Sequence, residues 1–181
     1  MQSKLLKNVL LTGAAFVAAF TLFQVSLPRN VRNNNPLNIK EFDGDKTEWE
    51  GEAVVDTDGT FEVFKDDKYG WRAAYIILLQ YLERGNNTLN SIIETWAPPL
   101  GDSGEFENHT QAYIDYITQQ TGIRATEQVK LEQLPVIMLA MSEFEGSKGH
   151  WNIDDVMAGV ELAEQADFVI ARLNRLSGVY A

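Results

Sequence analysis

Arg32-Asn33-Asn34-Asn35-Pro36-Leu37-Asn38-Ile39-Lys40 opens the body of this 181-residue chain, and four asparagines in six positions set its character. Short amide side chains bond neighbouring backbone groups, so such a run favours turns and caps over helix or strand. Pro36 removes a backbone donor, fixes its own φ and pushes Asn35 into an extended conformation. The stretch therefore reads as a built loop with its amides held at set angles. Fixed amides suit a ligand rich in hydroxyl and acetamido groups, such as a glycan. They equally suit an opening turn whose asparagines satisfy only the backbone.

Upstream of this loop, residues 9–27 read VLLTGAAFVAAFTLFQVSL and carry no charge. Nineteen residues in a helix span about 28 Å, close to the hydrocarbon thickness of a bilayer. A single N-terminal transmembrane helix within residues 1–28 is therefore expected, which would make the lipid membrane a partner through residues 9–27. A signal peptide is the alternative, because Lys4 and Lys7 supply a basic n-region. The apolar run is longer than a usual signal core and no small-x-small site precedes Pro28, which favours the anchor.

Downstream, residues 47–55 and 60–64 flank Asp56-Thr57-Asp58-Gly59. Two short runs around an Asp-Gly turn predict a small β-hairpin with Phe61 and Phe64 packing inward. The helices follow. Asp67 is expected to cap one over residues 69–84, stopped at Gly85, and Thr88 a short one ending at Trp96 before Pro98 and Pro99. Asn108 or Thr110 should start a third towards Gly122. Pro135 fits the first turn of an apolar helix over residues 136–145, and Asn152 caps a last stretch over residues 154–176, bent at Gly159. The expected fold class is α+β, mostly helical with one hairpin, in a domain over residues 29–181 that follows the anchor.

Charge narrows the function. Residues 1–32 carry Lys4, Lys7, Arg29 and Arg32 with no acid, leaving 11 basic against 26 acidic residues in the remainder, hence −15. Such a body repels phosphate backbones, so no nucleic-acid partner is expected. The chain has no cysteine and only His109 and His150 as histidines, so no disulfide, thiolate metal site or cofactor is expected.

The sharpest chemical candidate is Glu145 in Met141-Ser142-Glu143-Phe144-Glu145-Gly146. A carboxyl at the end of an apolar helix, partly desolvated and near the negative end of the helix dipole, has its pKa raised and can act as a general acid. An ordinary solvated glutamate fits the same local sequence. Glu143 is a possible second acid, although two positions along a helix it points elsewhere. Trp49, Tyr69, Trp71, Trp96, Tyr113 and Trp151 sit near element ends, where rings can line a groove or simply fill the core.

Taken together, Arg32 to Lys40, Trp49-x-Gly51, Phe61-x-x-Phe64, Tyr69-Gly70-x-Arg72-Ala73, Ile92 to Pro99, Asn108-x-Thr110-x-x-Tyr113-Ile114 and Glu145-Gly146 through Val160 resemble a family of phage virion-associated, lysozyme-like proteins. The first block also resembles flagellar-type glucosaminidases. The resemblance implies a lysozyme-like fold and cleavage of peptidoglycan glycan strands, by lytic transglycosylase or by muramidase or glucosaminidase chemistry, during phage genome delivery or release. It implies Glu145 as the acid, with Asn34, Asn35, Asn38, Trp49, Tyr69 and Tyr113 as substrate-binding residues. Leu37 replaces the family's usual Gly, and Phe144 stands where a polar residue is common. The expectation is a membrane-anchored enzyme of the virion or host envelope. Its alternative is a non-catalytic virion protein with an assembly or glycan-binding module and other virion proteins as partners.

Overall fold

A computed structural model describes residues 27–41, 47–55, 57–101 and 103–180. Among the described residues there are seven α-helices: α1 (Arg29–Arg32), α2 (Asp67–Glu83), α3 (Leu89–Trp96), α4 (Thr110–Thr121), α5 (Leu134–Ser142), α6 (Ile153–Ala163) and α7 (Asp167–Tyr180). A 3₁₀ turn, Leu131–Gln133, leads into α5, and a π-turn, Glu143–Ser147, leaves it.

The helix α2 organises the rest. Residues 70–76 of it are all buried, so it lacks a solvent face through its middle and must be surrounded. Helix α6 packs along it, with α5 and α7 also in contact. The approach of α6 is close because Gly159 carries no side chain. A Cβ there would lie 2.3 Å from Trp71 Cβ and 2.8 Å from the Arg72 backbone nitrogen. Glu83 accepts from Arg172 and Arg175 at 2.6 Å each and ties α7 to the end of α2. Tyr75 donates to Glu164 at 3.1 Å and does the same for the end of α6. The core these helices enclose contains Trp71, Leu78, Leu79, Ile92, Ile117 and Ile137, with Trp151 edge-on to Trp71 at 5.5 Å.

Most helix signals act where the sequence puts them. Thr88 and Asn152 each close a capping box, Pro135 lies in the first turn of α5, and Gly122 ends α4 in the left-handed conformation. Three differ. Asp66, one residue earlier, caps α2 by accepting from Lys68, which frees Asp67 to accept the Trp151 indole N–H at 2.6 Å. Helix α4 does start at Thr110, but neither Asn108 nor Thr110 caps it; both reach back to the carbonyls of Pro98 and Ala97 and fasten α4 to α3. The last stretch is two helices broken after Ala163, not one bent at Gly159, which packs inside α6.

The expected α+β class is corrected: among the described residues there are no strands and no sheet. The predicted hairpin is reduced to isolated bridges, Lys40 with Phe61 and Glu52 with Phe64. The asparagine loop intervenes. Asn35 Nδ2 donates to the carbonyls of Ile39 and Glu62, Asn34 Nδ2 donates to the Phe64 carbonyl, and Phe64 N–H goes to the Asn33 carbonyl. Backbone groups that a ladder would pair are thus taken by amide side chains and by the loop. Phe64 is buried as expected, whereas Phe61 is half-buried under the Arg29 guanidinium, 5.0 Å from its ring centroid.

The expected transmembrane helix is not found either: among the described residues no helix is long and apolar enough to cross a membrane. The apolar run at 9–27 lies, apart from Leu27, outside the described residues. The tight α2–α6 crossing is open to test. Gly159→Ala should lower the stability measured by urea unfolding by about 1–3 kcal/mol, the usual cost of overpacking, since the obstructing atoms include backbone.

Candidate functional site

The candidate site forms where the asparagine loop meets the π-turn after α5. Asn30, in the short helix α1, is wholly buried, and its Nδ2 lies 3.1 Å from the Pro36 carbonyl, 3.2 Å from the Ser142 carbonyl and 3.0 Å from Ser147 Oγ. Ser147 Oγ in turn donates to the Ser142 carbonyl at 2.6 Å. The carbonyl that the ending helix would leave bare is thereby satisfied by side chains. Gly146, at φ 112°, lets the chain turn out of the helix just after Glu145. A π-turn adds backbone to the last coil and re-aims its side chains, a device frequent at functional sites.

Glu145 consequently points at the loop. Its Oε2 accepts from Asn38 Nδ2 at 2.8 Å and its Oε1 from the Tyr113 hydroxyl at 3.0 Å. Tyr113 is buried and also lies 3.3 Å from the Met141 carbonyl. A phenol has one proton for these two acceptors. With Glu145 ionised, that proton goes to Oε1. With Glu145 protonated, the carboxyl can donate to the phenol oxygen while the phenol donates to Met141. Both charge states therefore have a complete pattern. Burial pushes the Glu145 carboxyl up, against the hydrogen bonds from Asn38 and Tyr113 that pull it down, and burial prevails. Burial and the neighbouring Glu145 hold Tyr113 well above the usual phenol range, so it stays a neutral donor.

The groove beside this cluster has a volume of about 530 Å³. Glu145, Asn38 and Lys40 line it together with Ile77, Tyr81 and Trp96, and residues 97–108 contribute Gly101, Glu105, Glu107 and Asn108. Tyr81 and Trp96 meet edge to face at 6.3 Å, leaving half-buried aromatic surface beside the acid. Asn38 adopts φ 51°, a left-handed conformation that asparagine tolerates better than most residues. Its N–H donates to the Asn35 carbonyl at 3.0 Å, which holds the amide towards Glu145.

Of the residues read from the sequence, Glu145, Asn38 and Tyr113 come together. Asn34 and Asn35 serve the framework: Asn35 is fully buried, and its amide is used up on Ile39 and Glu62. Trp49 and Tyr69 are not among the described residues lining the groove; Tyr69 instead covers Gly51, whose Cβ would fall 2.0 Å from its ring. Glu143 accepts from the Tyr116 hydroxyl at 2.8 Å, away from that lining, and is no partner for Glu145. Phe144 stacks on Tyr113 with centroids 4.1 Å apart, and Leu37 is core. Asn30, Lys40, Tyr81 and Glu107 are additions. Lys40 closes the asparagine motif and Glu107 precedes the Asn108 block, yet nothing in a linear pattern shows that they meet. Among the described residues no group of histidines and acids is placed to hold a metal ion.

No family model matches the chain. Over 154 residues, 84% of this chain and 92% of the relative, it is 37% identical to Protein P5 of Pseudoalteromonas phage PM2.

The raised Glu145 carboxyl couples stability to pH. Glu145→Gln resembles the protonated acid and can satisfy both Asn38 and Tyr113. A carboxyl whose folded pKa lies above its unfolded one contributes fully below the unfolded value, and that contribution is lost as pH rises through the folded value. Wild type and variant should therefore melt together near pH 4, with the variant gaining on the wild type towards pH 8. Melting curves across that range check this.

Proposed function

We propose, from the premise that this chain belongs to the family of Protein P5 of phage PM2, that it is a virion-associated enzyme cleaving the glycan strands of peptidoglycan. The observation that carries the reading is a partly enclosed carboxyl with a raised pKa, fixed by an amide and a phenol, at the edge of a groove with aromatic surface. A general acid must be protonated near working pH and held against the leaving oxygen. Desolvation moves Glu145 towards the first condition, and the Asn38 and Tyr113 hydrogen bonds fix the carboxyl's position for the second. Glu145 donates its proton to the glycosidic oxygen, while Tyr81 and Trp96 offer ring surface to sugar faces. Asn34 and Asn35, bound up in the loop framework, support Asn38 from behind.

A second reading has an observation of its own. Both Glu145 oxygens have partners inside the protein, so Glu145 also serves as a tie between the loop and the helical body, as a non-catalytic virion module would use it. The two readings diverge on one variant. Under the enzymatic reading Glu145→Gln in the full chain abolishes clearing of purified peptidoglycan, followed by turbidity, and leaves the fold intact. An inactive wild type with a glycan-binding body supports the structural module instead.

The hydrogen bond from Asn38 lowers the Glu145 pKa, and φ 51° suits glycine. Asn38→Gly should therefore retain the fold and move the alkaline limb of the kcat/KM profile to higher pH. An unmoved limb would separate Asn38 from the acid's titration.

A further inference from the structure

Two further groove carboxylates, Glu105 and Glu107, are left unused by the acid chemistry above; Glu105 is exposed, whereas Glu107 is half-buried. Glu107 comes from the segment between α3 and α4 and lines the same groove as Glu145. Several contacts hold it. Its N–H donates to the Pro99 carbonyl at 3.0 Å, and the flanking residues Leu100 and Phe106 form an antiparallel bridge. Its Oε1 is paired with the Lys40 ammonium, itself a groove residue two positions after Asn38. Gly101 makes room: a Cβ there would lie 3.4 Å from Glu107 Oε2 and only 2.3 Å from Glu105 Oε1. The Glu107 side chain keeps 28% of its surface exposed, so water reaches it.

Glu145 and Glu107 thus meet the same groove in contrasting surroundings. One is desolvated among uncharged donors; the other stands beside an ammonium and water. Two carboxyls with divided environments in one glycan groove are the arrangement that lets one act as acid and the other as base. We infer that Glu107 is the second catalytic carboxylate, activating a water so that the glycosidic bond is hydrolysed rather than broken by the sugar's own 6-hydroxyl. This rests on the reading of Glu145 as the acid.

In the step, Glu107 Oε2 takes a proton from water and the water oxygen bonds to the anomeric carbon. The bond from that carbon to the glycosidic oxygen breaks, its electron pair stays on the leaving oxygen, and Glu145 protonates it. Exchange with solvent removes the proton from Glu107 and returns one to Glu145, so only water is consumed. Lys40 is a positioning residue: by occupying Oε1 it leaves Oε2 for the water.

The test digests purified peptidoglycan with the full chain and its variants and analyses the products by mass spectrometry. Wild type should release fragments with free reducing ends. Glu107→Gln should lose kcat by about 10² or more, the usual contribution of a general base, with KM changed by less than about threefold and an unchanged melting temperature. Azide, which needs no base, should restore turnover to Glu107→Gln as a glycosyl azide and fail to do so for Glu145→Gln. Should Glu107→Gln unfold, Glu107→Asp keeps the carboxylate and should retain measurable hydrolysis. Anhydro sugars from the wild type, or Glu107→Gln at full or raised activity, would overturn the assignment, the latter making the Lys40 pair a latch across the groove. A wild type that cleaves nothing defeats the acid reading itself, and is recognised before any variant is compared.

Discussion

Everything at the candidate site depends on one buried amide. Asn30 Nδ2 reaches the Pro36 carbonyl in the asparagine loop and the Ser142 carbonyl and Ser147 hydroxyl that bracket the π-turn. Residues more than a hundred positions apart in sequence are joined there without access to water. A buried acceptor left unpaired costs about 1–3 kcal/mol, so this junction has little freedom to open, and it fixes the distance between the strand-like loop bearing Asn38 and the turn bearing Glu145. The 2.8 Å contact between those two side chains follows from it.

The local economy of hydrogen bonds also explains why the segment around residues 60–64 remains irregular. Asparagines 33 to 35 take both donors and acceptors from it, directly or through the backbone. A sheet ladder and an amide-rich loop compete for the same groups, and here the loop prevails. Asp58 belongs to the same knot: burial pushes its carboxyl up, but Asn33, Arg29 and Arg32 bring it below the usual range. The outcome is a hydrogen-bonded edge to the groove, at Asn38 to Lys40 and Phe61, made without regular secondary structure.

Helical elements were legible wherever a local signal had no competitor. Thr88, Pro135, Gly122 and Asn152 act through groups within a few residues of themselves, so their roles survive folding. Asp67 had a competitor: the Trp151 indole, 84 residues away, claims its carboxylate, and Asp66 caps in its place. The hairpin signal failed for the same reason, because Asn34 and Asn35 bond across the fold. Glu145 was visible as a glutamate near the end of an apolar helix, whereas nothing local separated it from Trp49, which packs against the core, or Tyr69, which covers Gly51.

By itself, the sequence determined a cysteine-free, acidic body with several capped helices, a glutamate near the end of an apolar helix and a loop of amides near its start, but not that the hairpin would be missing. Those properties rest on composition and on contacts within a turn or two. Only the tertiary structure decided which amide meets the acid, that Tyr113 takes its other oxygen, and that Lys40 and Glu107 pair in the same groove. Such pairings join residues 32 to 107 positions apart, and at Glu145 burial gives them their strength by removing the water that would otherwise compete for each donor and acceptor.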